Sequence, residues 1–115
     1  MTLHDFYVAI GGDYAAAVSA MGDEQQVVSR LRAFPYAQDY AGLLTAMRDS
    51  RWQDAADCAA AISREAEALF CPGLQRAGDA LAEALTRSEG DVLTLRENLA
   101  REYRNVIAAI NGVTN

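Results

Sequence analysis

Apolar residues recur along this chain three and four positions apart, the spacing of helices that bury one face. The clearest run is Trp52, Ala55, Ala59, Ile62, Ala66 and Leu69. It predicts a long helix buried along one seam, opened by a capping box of Ser50 with Gln53 and by Trp52 at the helix start. Phe70-Cys71-Pro72-Gly73 interrupts the run. Leu74, Ala77, Leu81 and Ala84 then repeat the alternation up to Ser88-Glu89-Gly90. Asp91 is placed to cap a last helix with Val92, Leu95, Leu99, Val106 and Ile110 inward; Leu93, Leu95 and Tyr103 cannot all face one core.

Upstream the elements are shorter. Thr2 to Asp5 reads as a weak capping box before Leu3, Phe6, Tyr7 and Ile10, and Gly11-Gly12 stops that helix. Asp13 caps a second, with Tyr14, Ala17, Val18 and Met21 inward and Gly22 at its end. Asp23 with Gln26 starts a third, carrying Val27 and Leu31. Phe34-Pro35 breaks it, and Pro35 suits the first turn of the next, whose apolar stripe is Tyr36, Tyr40, Leu43 and Met47. No segment alternates with period two over a useful length. The expected fold class is all-α: an up-down four-helix bundle preceded by short N-terminal helices, in one domain over residues 1–115.

Composition narrows the function classes. Apolar residues make up 51% of the 115 and charged residues 23%, a globular profile with enough chain for a core. The net charge of −6, with arginines interleaved among Asp and Glu, argues against a nucleic-acid partner and an anionic membrane surface. There is no lysine, so lysine chemistry is excluded. No apolar run approaches the ~20 residues of a membrane span, and MTLHDFYVAIGG lacks the regions of a signal peptide. A cytoplasmic location is expected.

Catalytic chemistry finds no foothold. His4 is the only histidine, and no nucleophile–base pairing, phosphate loop or metal-ligand spacing accompanies it. Gly11-Gly12-Asp13 follows a helix and lacks a lysine, so it reads as a helix stop and cap. Cys58 and Cys71 form no C-x-x-C pair and read as reduced packing residues. Asp57, Glu65 and Glu67 read as a solvated face, with Arg64 and Glu67 as a surface pair. Neither a cofactor, a metal nor an enzymatic activity is expected.

FYVAIGGDYAAAVSAMG and RAFPYAQDYAGLLTAMRDSRWQDAADCAA, in that order, resemble the histidine-containing phosphotransfer (Hpt) domains of bacterial phosphorelays. The resemblance spans roughly residues 3–110. The family's motif is Ala-His-x-Leu-Lys-Gly-x-Ala, with a Leu-Gly a little beyond. Laid on this chain it places Ala59, Ile62, Ala66, Leu69 and Leu74 at the buried positions. Ala60 then stands where the phosphoaccepting histidine belongs, Ser63 at the lysine, Arg64 at the glycine and Phe70 at the glycine of Leu-Gly.

The resemblance implies a scaffold kept and a reaction centre emptied, because a methyl group offers phosphoryl transfer no nucleophile. It implies a signalling module that binds a response-regulator receiver or a histidine kinase through Ala56, Ala60, Ser63, Arg64 and Glu67. In one version Arg64 is an adapted contact, and in the other the site has drifted and Arg64 merely pairs with Glu67. The alternatives are a helical bundle with a structural or oligomerisation role, monomeric or weakly self-associating, and a phosphocarrier that uses His4.

Overall fold

Four polar side chains set where helices begin. Thr2, Asp13, Asp23 and Asp91 each accept from the backbone N–H three residues on, at 2.9–3.1 Å. Asp5 returns the bond to the Thr2 N–H and completes the capping box. In the computed structural model, which describes residues 1–114, the helices are α1 (Leu3–Ile10), α2 (Tyr14–Met21), α3 (Glu24–Ala33), α4 (Asp39–Arg48), α5 (Trp52–Ala68), α6 (Pro72–Arg87) and α7 (Val92–Asn111). A single 3-10 turn, Phe34–Tyr36, links α3 to α4. Every regular element among the described residues is helical. The expected all-α class holds.

Two expectations fail at the start of α5. Ser50 does not cap it: Ser50 adopts a left-handed backbone, φ 57°, and Arg51 holds the cap position. The Ser50 N–H donates to the Met47 carbonyl and the Arg51 N–H to the Ala46 carbonyl, a Schellman ending for α4. A link of residues 49–51 leaves no room to end one helix and cap the next with the same side chain. Trp52 is not in the seam either. It is 49% exposed and lines a surface groove with Leu85 and Val92. Tyr36, expected in the α4 stripe, sits in the 3-10 turn and is 85% exposed.

Left-handed residues also follow α5 and α6, at Phe70 (φ 60°) and Ser88 (φ 55°). Phe70 repeats the Schellman bonds, its N–H to Glu67 and the Cys71 N–H to Ala66. Side chains other than glycine pay about 1 kcal/mol for this conformation. Ser50 is exposed, so Ser50→Gly is expected to raise stability by up to about 0.5 kcal/mol in urea unfolding, once the looser unfolded chain is counted. A fall in the urea midpoint would contradict the backbone geometry.

The long helices pack as sequential neighbours, most extensively α5 on α6, then α4 on α5 and α6 on α7. Facing pairs fix their directions: Gly42 meets Cys58, Gly78 meets Ala59 and Ser63, and Gly73 meets Glu102. In each pair one number falls as the other rises toward the link, so these neighbours are antiparallel. Tyr40 of α4 stacks flat on Tyr103 of α7, centroids 4.1 Å apart and planes 8° off parallel, with Phe34 tilted against the same ring. Leu43, Ala55, Ile62, Leu74, Leu81 and Leu99 fill the space between. Leu93, left over by the α7 periodicity, is 62% exposed.

The short helices close one end. Tyr7, fully buried, donates its hydroxyl to the Leu69 carbonyl at 2.7 Å, pinning α1 to the turn after α5. At the far side of α1 the Thr114 N–H donates to the Met1 carbonyl at 2.9 Å, and the α-amino group of Met1 donates to the Gly112 carbonyl.

Candidate functional site

α5 touches α4 on one flank and α6 on the other, so its buried stripe is wider than the seam alone. Ala55, Ala59, Ile62, Ala66 and Leu69 are buried as expected. Ala56 and Ser63, expected on a partner-binding face, are buried too, at 3% and 4% exposure. Both lie toward α6. Gly78 brings that helix close: a β-carbon there would stand 3.1 Å from the Ala59 carbonyl oxygen and from both the Cβ and the N of Ser63. The Ser63 hydroxyl donates to the Asp79 carboxylate of α6. Its one donor hydrogen is spent there, and burial keeps the oxygen from a partner.

Three of the five expected residues remain accessible. Ala60 is half-buried midway along α5, and Arg64 and Glu67 are exposed beyond it. The Arg64–Glu67 surface pair does not form. Ion pairs form instead at Arg48–Asp49, Arg51–Asp49, Arg51–Asp54 and Arg87–Glu83. With half-buried Ala61 and exposed Ala68, the outward side of α5 is a shallow strip of methyl groups carrying the Arg64 cation.

Glu65 departs furthest from expectation. The sequence places it on a solvated face, yet it turns toward α4, and its Oε2 is shut off from solvent without a hydrogen-bond donor. Burial first, then the neighbouring Asp39 carboxyl, raises its pKa from 4.5 to about 7, against a small lowering by Arg64. The same surroundings push the Tyr103 phenol up, mainly through burial, then through Tyr40 and Glu65. The sequence carried one signal of this. Glu65 precedes Ala66 and lies three after Ile62, so it borders the stripe wherever a second helix widens it.

The cysteines are free and protonated. Burial holds the Cys71 thiol up to about 12. Cys58 is raised by burial and then by Asp39, Asp54 and Asp57, with Arg51 opposing. It sits under Gly42 in a groove of about 520 Å³ between α4 and α5. His4, exposed in the first turn of α1, meets the edge of the Tyr14 ring, centroids 5.2 Å apart. Tyr14 in turn donates its hydroxyl to Glu24. This row lies on α1, α2 and α3, away from α5.

Among the described residues no group of His, Cys, Asp and Glu is arranged to hold a metal ion, and no helix is long and apolar enough to cross a membrane. Chemically the α5 face offers a contact surface and charge-assisted hydrogen bonds donated by Arg64. It offers no nucleophile. Comparison of the chain with family models, with curated proteins and with solved structures finds no match.

Proposed function

We propose that this chain is an Hpt-like signalling module that docks a response-regulator receiver or a histidine kinase without carrying phosphate. On this reading α4 to α7 are an up-down four-helix bundle, α1 to α3 its N-terminal extension, and α5 the helix that bore the phosphohistidine in its relatives. The register of α5 carries the reading. The positions that the motif keeps apolar (Ala59, Ile62, Ala66, Leu69) are buried, and Ala60 and Arg64 lie toward the outside. The turn supports it as well. Phe70, standing where the motif has the glycine of Leu-Gly, holds the left-handed backbone that a glycine accepts most readily.

Docking here is a matter of shape and a single charge. A receiver's phosphorylation pocket is acidic, and Arg64 can reach into it over the low Ala60 and Ala61 surface. Ionised carboxylates beside Arg64 would oppose this. Glu65 is turned inward and half-protonated near neutral pH, which leaves Glu67 as the exposed one. Arg64 is therefore read as an adapted contact.

The test uses purified receivers and a phosphodonor. Binding to one receiver is expected, weakened about tenfold or more by Arg64→Glu as a fixed charge is reversed, with no label transferred to the chain. An acid-labile label lost in His4→Gln would establish the phosphocarrier instead. Receiver binding untouched by Arg64→Glu would remove the α5 face. A second reading has its own observation: Trp52 and Leu93 are large and exposed, and Trp52 lines a groove of about 300 Å³ with Leu85 and Val92. Self-association through that end would appear as a concentration-dependent size in solution.

A further inference from the structure

Glu65 is a polar side chain of the α5 centre that docking does not employ. Its Oε2 is closed off, and no N–H or O–H of the described residues donates to it. A buried acceptor left like this is costly, and the neighbouring Asp39 carboxyl cannot relieve an ionised Glu65 because it too is an acceptor. One proton resolves both problems. Placed on Glu65 it turns that carboxyl into a donor toward Asp39, which lies in the first turn of α4. We propose that Glu65 and Asp39 form a proton-held latch between α5 and the start of α4, closed while the pair shares a proton and released when that proton leaves.

The groups around the latch are few. Asp39 and Tyr40 approach from α4, Tyr103 from α7 and Arg64 from α5 itself, while Arg30 of α3 rims the adjacent groove together with Phe34, Ala37, Ala68 and Leu69. Among the described residues Arg64 is the one cation that lowers the Glu65 pKa, and it is the last of the influences on it. Loss of the proton therefore leaves two carboxylates facing each other beside the stacked tyrosines. The strain falls at the 3-10 turn and the first turn of α4, whose cap, Gln38, supplies no side-chain bond.

The sign follows from the raised pKa. The unfolded chain takes up this proton only below about 4.5, and the folded one takes it up below about 7. The stabilisation from the latch is therefore complete in acid and is lost as pH rises through 7. The latch rests on α4 and α5 alone and holds whether or not α5 docks a receiver.

Carboxyl carbon NMR of the whole chain decides it. Glu65 is expected to titrate near 7. Hydrogen exchange over residues 34–42, corrected for base catalysis, is expected to lose up to about tenfold protection between about pH 6 and about pH 8. Glu65→Gln should abolish that loss, since its amide donates to Asp39 at every pH. A Glu65 titration near 4.5, or a pH-dependent loss that persists in Glu65→Gln, overturns the latch. Should Glu65→Gln fail to fold, the wild-type carbon titration stands as the deciding measurement.

Discussion

Gly12→Ala is expected to lower the stability of the fold by about 3 kcal/mol, at the upper end of what forced overpacking costs. A β-carbon at this position would lie 2.4 Å from the Phe70 carbonyl oxygen and 2.8 Å from Cδ1 of Tyr7. Neither can retreat. The Phe70 carbonyl belongs to the Schellman turn that ends α5, and the Tyr7 ring is fully buried with its hydroxyl tied to Leu69. The Gly12 N–H is itself engaged, donating to the Tyr7 carbonyl at 2.9 Å. Both sides of the contact are thus bound to each other, and the substitution must open the junction between α1 and the end of α5.

The neighbouring glycine supplies the control. Gly11 has φ 69°, and a β-carbon there would meet nothing within 4 Å, so Gly11→Ala carries only the left-handed strain of about 1 kcal/mol. Urea unfolding of the two variants separates contact from conformation, because the slope should stay constant while the midpoints part. Equal midpoints would mean that Gly12 is not pressed against the α5 turn.

Which parts of this were legible in the sequence follows from how local each signal is. Thr2, Asp13, Asp23 and Asp91 act on an N–H three residues away, so their caps read directly, as do the stops at Gly11 and Gly22. Ser50 misleads because capping chemistry says nothing about the length of the preceding link; three residues between α4 and α5 oblige Ser50 to finish one helix before the other begins. Ala56 and Ser63 mislead for a different reason. A single seam predicts one buried line, but a helix held between two neighbours buries a band, and only the packing of α6 shows how far that band extends. The Tyr40–Tyr103 stack and the Glu65–Asp39 approach join residues far apart in the chain. Neither leaves a periodic mark. Of the proposed docking face, then, Ala60, Arg64 and Glu67 are readable from α5 alone, and the removal of Ser63 from it is not.

Gly78 is the residue that removes it, which makes Gly78→Val the second large prediction. The position lies inside α6, where glycine weakens a helix by about 1 kcal/mol relative to alanine, so some other need holds it there. That need is proximity. All three atoms nearest a β-carbon, at 3.1 Å, belong to α5, and two of them are backbone. Backbone cannot rotate aside, so a branched side chain has to push the helices apart. The expected loss is about 3 kcal/mol for valine, and about 1 kcal/mol for alanine, whose better helix propensity offsets part of the crowding. The Ser63 hydroxyl reports the displacement independently. Its bond to Asp79 spans the same seam one residue along, so parting α5 from α6 should expose Ser63 and speed amide exchange in both helices around it. If Gly78→Val unfolds at the wild-type urea midpoint with Ser63 still protected, α6 does not press on α5 there, and Ser63 returns to the accessible face beside Ala60.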